Sequence, residues 1–197
     1  YFVSPESFID KEFNGSFTQN GAAGSWDNDY VGFVFGYNGT DDFYLFDWKQ
    51  GDQTYAGDTA YEGFGLYKIT DSSETNFWDH SGSGIQTLET NFGSDMGWAD
   101  NTLYDFSLGY TTDSITITLD GGAFDNETVI DVNGLTNAAG QFGFYNFSQQ
   151  AVTYSGFEEE TCQVNCGGTV DVPEPASLAL FGLGLAALGF SRRKAKG

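Results

Sequence analysis

Large apolar side chains fall on every second position through much of this chain, with glycine, serine or threonine between them. Val31, Phe33, Phe35 and Tyr37 alternate with Gly32, Val34 and Gly36. A period of two sends successive side chains to opposite faces of an extended strand, so this segment predicts a strand with bulk on one face and little on the other. Asn38-Gly39-Thr40-Asp41-Asp42 supplies turn residues, and Phe43 to Trp48 returns as a second strand. Further on, Tyr104, Phe106, Leu108 and Tyr110 alternate, Thr111 to Ser114 turn, and Ile115, Ile117 and Leu119 alternate with Thr116 and Thr118 before Asp120-Gly121-Gly122 closes the unit. Phe142 and Phe144 with Val152 and Tyr154 predict a last strand pair around Ser148-Gln149-Gln150. No stretch before residue 172 sustains a helical period.

Many short strands, 27 glycines and 17% aromatic residues predict an all-β fold: an antiparallel jelly-roll or concanavalin-like β-sandwich with an aromatic-rich core. Most aromatics, Trp48 among them, are assigned to that core.

The pattern changes abruptly near the end. Val172-Pro173-Glu174-Pro175 breaks the chain, Ala176 to Phe190 is uncharged and rich in Leu, Ala and Gly, and Arg192, Arg193 and Lys194 follow. Such a run with a basic end predicts a short C-terminal transmembrane helix, its bases held on the cytoplasmic side and everything before Val172 outside. At 1.5 Å per residue the run spans roughly 22 Å as a helix, short of the ~30 Å hydrocarbon core. Gly182, Gly184 and Gly189 weaken it further, which suits a transient anchor. These residues resemble the PEP-CTERM sorting tail of Gram-negative bacteria. The resemblance implies that an exosortase-type membrane protease reads Pro173-Glu174-Pro175 and removes the tail after export. The expected location is therefore the inner membrane, transiently, and then the cell surface or the extracellular space.

Length and charge fit an exported protein. The expected organisation is one sandwich domain over residues 1–160, a linker over 161–171 and the tail over 172–197. The chain begins at Tyr1, which reads as a removed signal peptide or a fragment. The linker carries the only two cysteines, Cys162 and Cys166. Outside the cytosol a disulfide between them is expected, although so small a loop adds little stability. Net charge is −21 over the 197 residues, and without the tail 3 bases face 27 acids, a net −24. Such a body repels nucleic acid and anionic lipid, and divalent cations, Ca²⁺ above all, are the expected counter-charge.

Asp27-Asn28-Asp29-Tyr30-Val31-Gly32-Phe33-Val34-Phe35-Gly36-Tyr37, followed by Phe43-Tyr44, Trp48-Lys49-Gln50 and Gln53-Thr54-Tyr55, resembles the C-terminal globular domain of thrombospondins, an L-type-lectin-like jelly roll. Trp78-Asp79-His80-Ser81-Gly82, Gly97-Trp98 and Gly140 to Gln149 extend the match, which covers roughly residues 8 to 162. Two departures stand out. The calcium repeats that precede this domain in the animal proteins are absent, and Asn146 stands where the family has a cysteine, so that disulfide does not carry over. The resemblance implies a calcium-binding adhesion or matrix-binding module without catalysis.

Asp27 and Asp29, on an extended entry to the strand, point the same way and can share a cation. Asp47, Asp52 and Asp58 on or after the partner strand are expected to complete its oxygen shell, although Asp-rich turns also cap their own backbone. Trp78 and Trp98 lie in loops rich in Gly, Ser and Asp and are the candidates for stacking on sugar rings. His80, the single histidine, is expected to be structural and held near Asp79.

Retaining glycosidases need two carboxylates about 5 Å apart, and the glutamates here are scattered or lie beside the linker. Neither a Gly-x-Ser-x-Gly elbow nor a phosphate loop is present. The expected function is an exported, non-enzymatic, calcium-binding adhesion or glycan-binding module of the bacterial surface. Its partners are surface or extracellular polysaccharide or a matrix protein, the exosortase-type protease, and the membrane through the tail. The alternatives are a self-assembling surface protein and a polysaccharide-acting hydrolase.

Overall fold

A computed structural model describes residues 2–21 and 28–161; Asp27, the two cysteines, the linker after Thr161 and the tail lie outside the described residues. The strands, in chain order, are β1 (Phe2–Phe8), β2 (Lys11–Gln19), β3 (Tyr30–Tyr37), β4 (Phe43–Lys49), β5 (Gln53–Tyr55), β6 (Asp58–Ala60), β7 (Gly63–Ile69) and β8 (Thr75–Asn76). There follow β9 (Ser81–Gly82), β10 (Ile85–Phe92), β11 (Leu103–Tyr110), β12 (Ser114–Gly121), β13 (Phe124–Asn133), β14 (Gly140–Phe147) and β15 (Val152–Thr161). Among the described residues helix is confined to one 3-10 turn, Ser72–Glu74, capped by the Asp71 carboxylate.

The strands form two antiparallel sheets. One has six strands in the order β1-β14-β3-β4-β7-β10, the other five in the order β13-β12-β11-β2-β15. Between them lies the main core. Val31, Phe33, Phe35, Tyr44, Phe46 and Trp48 of the first sheet meet Phe17, Tyr104, Phe106, Leu108, Ile115 and Ile117 of the second. Phe33 stacks on Phe106 across the sandwich at 4.8 Å, the offset arrangement that aromatic pairs favour. The jelly-roll sandwich expected from the alternation is the fold observed.

Two local expectations are corrected. First, β3 is buried on both faces. Tyr30 and Val34 belong to a second apolar cluster with Phe43, Leu45, Tyr67 and Tyr145, on the face of the six-stranded sheet that a one-sided strand would leave to solvent. Tyr37 joins that cluster because Gly36 takes φ +55°, and the register slips there between Gln141 and Gly143 of the neighbouring strand. This is a bulge that turns the following side chain over. Second, β14 and β15 are not partners. β14 pairs with β3 and β1, whereas β15 pairs with β2 in the other sheet. Phe144 and Tyr154 instead stack across the sandwich at 4.3 Å, so the residues at 148–151 carry the chain from one sheet to the other.

The second cluster positions the site. The β5–β6 hairpin and the small β8–β9 ladder follow β4 and β7, and Ala60, Phe77 and Trp78 from these segments pack on the outer face of the six-stranded sheet. Because side chains alternate along β4, Tyr44, Phe46 and Trp48 point into the sandwich while Phe43, Leu45, Asp47 and Lys49 point to this outer layer.

Candidate functional site: an aromatic cleft over a buried lysine

Four of the predicted metal ligands can be placed, and each carboxylate is engaged separately. Asp29 is 8% exposed; its backbone N–H donates to Gln149 Oε1 at 2.8 Å, its carbonyl accepts from Trp98 Nε1 at 3.2 Å, and Oδ1 lies 3.5 Å from Lys49 Nζ. Asp47, 1% exposed, faces His80, with Oδ2 2.8 Å from Nε2. Burial pushes the Asp47 carboxyl above its ordinary value, a shift opposed by His80 and Lys49. Asp52 accepts from the backbone N–H of Glu62 at 2.7 Å, and Asp58 accepts from Asn76 Nδ2 at 3.2 Å.

Among the described residues no three Asp, Glu, His or Cys side chains come together as a metal cluster, so the four placed aspartates are not drawn together on one point. A positive charge already stands among them. The Lys49 ammonium stands at the start of β3, at 0% exposure. Asn28 O accepts from it at 2.6 Å, Gln53 Oε1 at 3.1 Å and Asn28 Oδ1 at 3.3 Å. Among the described residues the cation that these oxygens surround is the chain's own ammonium. Asp27, the fifth predicted ligand, lies outside the described residues, as do Cys162 and Cys166, Val172 to Pro175, and Arg192, Arg193 and Lys194.

His80 is structural, but its partner is Asp47, not Asp79, whose carboxylate accepts from Ser81 Oγ at 2.8 Å. The imidazole also lies flat on Tyr67, with centroids 4.1 Å apart.

The two tryptophans part company. Trp98 is 2% exposed and belongs to the main core, so its assignment to sugar stacking is corrected: the Gly97 that precedes it packs against the Gln50 backbone, which draws the loop inward. Trp78 lines a cleft of about 430 Å³ together with Asp29, Gln53, Tyr55, Asp58, Asn76, Phe147 and Ser148. Its ring is fixed from two sides. Nε1 donates to Asp58 O at 3.1 Å, and the Lys49 ammonium sits 5.1 Å from the ring centroid, within cation–π range. Tyr55, 72% exposed, stands edge-on to Trp78 at 6.3 Å, and Phe147 lies 6.2 Å away on another side.

The sequence reading assigns no site role to Tyr55, Gln53, Asn76, Phe147 or Ser148. They come from β5, β8 and the end of β14, distant in sequence. The role of Lys49 had a faint signal: it is one of three bases before the tail, set at the end of an aromatic strand.

The cleft thus sets an aromatic wall beside carboxylate, amide and hydroxyl groups on a lectin-like β-sandwich. In fold the chain is similar to a carbohydrate-binding module from Bacillus subtilis, with TM-score 0.54 and 15% identity over 80% of this chain and 79% of that one. It is also similar to an ancestral congerin (TM-score 0.51, 14% identity, 80% and 98% covered) and to sheep galectin-11 (TM-score 0.51, 8% identity, 81% and 96% covered). The thrombospondin C-terminal region family matches residues 2–164, and the chain belongs to that family. Thrombospondin-2 of Gallus gallus is 30% identical over 176 residues, which cover 80% of this chain and 14% of that protein. Thrombospondin-3b of Danio rerio is 31% identical over 171 residues, covering 78% and 18%. The chain thus spans less than a fifth of the length of these relatives. Residues 171–194 match the PEP-CTERM protein-sorting motif.

Proposed function

We propose that this chain is an exported, non-catalytic glycan-binding module that holds polysaccharide of the cell surface or extracellular matrix in the cleft between Tyr55 and Trp78. The observation that carries the reading is Tyr55 itself. A tyrosine left 72% exposed beside a braced tryptophan offers two aromatic faces to an apolar sugar surface, and Asp58, Asn76, Gln53 and Ser148 around them supply acceptors and donors for hydroxyls. Mostly apolar walls with a few convergent polar groups are what small-ligand sites share. The fold neighbours that are themselves a carbohydrate-binding module and a galectin support the same class.

The sorting motif at 171–194 supports export, with the tail as a transient membrane anchor and an exosortase-type protease as the processing partner. Adhesion follows as the consequence of matrix binding. Calcium enters this reading nowhere in the cleft.

The test is binding of the full chain to an array of bacterial and plant oligosaccharides, followed by calorimetry on the best ligand. Tyr55→Ala, at an exposed position, should weaken that ligand by about tenfold, in the range of ~1–1.5 kcal/mol for a lost aromatic contact, with no change in melting temperature. Equal affinity of Tyr55→Ala and wild type would move the site elsewhere, and the absence of any glycan ligand would end the reading.

A further inference from the structure

Lysine is almost never fully buried unless it is paired, and Lys49 is buried completely under the candidate cleft. Its surroundings are oxygen-rich: Asn28 O, Asn28 Oδ1, Gln53 Oε1 and Asp29 Oδ1 lie 2.6, 3.3, 3.1 and 3.5 Å from Nζ. An ammonium has three N–H donors, which four oxygens more than satisfy. The rings of Trp78 and Tyr30 have their centroids 5.1 and 5.5 Å from Nζ. Converging oxygens of this kind are what a hard divalent ion seeks, yet here they converge on a nitrogen. Each contact also fixes a different segment: Asn28 and Asp29 lead into β3, Gln53 lies in β5, and Trp78 lies between β8 and β9. Asp29, Gln53 and Trp78 are walls of the cleft.

We propose that the Lys49 ammonium is the built-in cation that assembles the Tyr55–Trp78 cleft, in the place where the sequence pattern predicts calcium, so that the cleft keeps its shape without a divalent metal. The importance of that shape rests on the glycan reading above, but the assembly is testable with no ligand at all. Without the ammonium, the Asp29 carboxylate and the oxygens of Asn28 and Gln53 face one another out of water, a costly arrangement that separation of the segments relieves.

Hydrogen exchange of the full chain, followed by mass spectrometry, reads the segments directly. In wild type, peptides covering 53–60 and 75–82 should exchange equally in calcium and in chelator. In Lys49→Ala they should exchange about tenfold faster, a loss of ~1.4 kcal/mol in local opening, while β11 and β12 peptides stay at wild-type protection. Excess methylammonium should restore part of the lost protection by entering the vacated space. Faster exchange of wild-type 53–60 and 75–82 on chelation would overturn the proposal, because a metal would then hold the cleft. Wild-type exchange in Lys49→Ala, or restoration by calcium in place of methylammonium, would overturn it equally. Should Lys49→Ala lose protection in β11 and β12 as well, Lys49→Gln decides, since it keeps a hydrogen-bond donor without the charge. Opening confined to 53–60 and 75–82 supports the proposal, and wild-type protection there refutes it. A chain that shows the expected exchange pattern but binds no glycan would refute the glycan reading alone.

Discussion

His80 and Asp47 form a pair sealed beneath the loops of the outer layer: Nε2 lies 2.8 Å from Oδ2, with side-chain exposures of 7% and 1%. Tyr67 stacks on one side of the imidazole, and Tyr30 meets its ring edge-to-face at 5.1 Å. The pair ties β4 to the connection between β8 and β9 and so fixes the outer layer to the sheet. Burial of its carboxylate also carries a consequence for stability against pH.

Because desolvation raises the Asp47 carboxyl in the folded state, the native protein binds a proton there that the unfolded chain releases near its ordinary value of about 4. This contribution to stability is fully present below that value and declines as pH rises through the raised folded value. Asp47→Asn keeps an acceptor for His80 and removes the titration. Melting temperatures measured from pH 4 to pH 7 should therefore fall less steeply in Asp47→Asn than in wild type, and parallel curves would rule the contribution out.

Val34 is fully buried in the outer cluster, although strand alternation alone places it on the empty face of β3. Val34→Asp should cost several kcal/mol, as much as Phe33→Asp on the inner face. Thr116, whose antiparallel partner on β13 is Asp131, should accept lysine with no loss, and opposite charges there contribute a few tenths of a kcal/mol. Urea unfolding of the three variants gives the comparison. A Val34→Asp protein as stable as wild type would contradict the double-sided burial.

Gly32 has no room for a methyl group: a Cβ there would stand 2.1 Å from the carbonyl oxygen of Phe46 on the neighbouring strand. The Tyr154 hydroxyl also donates to Gly32 O at 3.3 Å and accepts from Gly32 N at 3.4 Å. Gly32→Ala should push β3 away from β4 and lower stability by roughly 1–3 kcal/mol, the range for overpacking. A melting temperature within a degree of wild type would mean the strands give way freely.

The sorting motif at 171–194 yields a prediction about processing. Substituting Pro173 and Pro175 should leave membrane insertion intact and block cleavage, so the protein accumulates in the membrane fraction with its tail. The intact mass of the extracellular wild-type form should correspond to a chain ending near Val172 to Ala176. An extracellular form that still ends at Gly197 would identify the tail as permanent.

Alternation along the chain was sufficient for the class of fold and for the hairpins β3–β4 and β11–β12, because pairing between neighbours with a tight turn is a local matter. It also marked Trp48 as core and the tail as a segment apart. Tertiary structure alone decided what depends on contacts between distant segments. β14 and β15 alternate as well as any strands, yet they lie in different sheets, since a period of two says which face a side chain takes and nothing about which ladder the backbone joins. Trp78 and Trp98 read alike in sequence, both in loops rich in small and acidic residues, and only the packing of the loops left one on a cleft and buried the other. The aspartates around β3 and β4 show their counter-charge only faintly in sequence, as Lys49 at the end of an aromatic strand. Only the fold buries one lysine among them, because the end of β4 meets the residues before β3 and those of β5 once the sheet and its outer layer have formed.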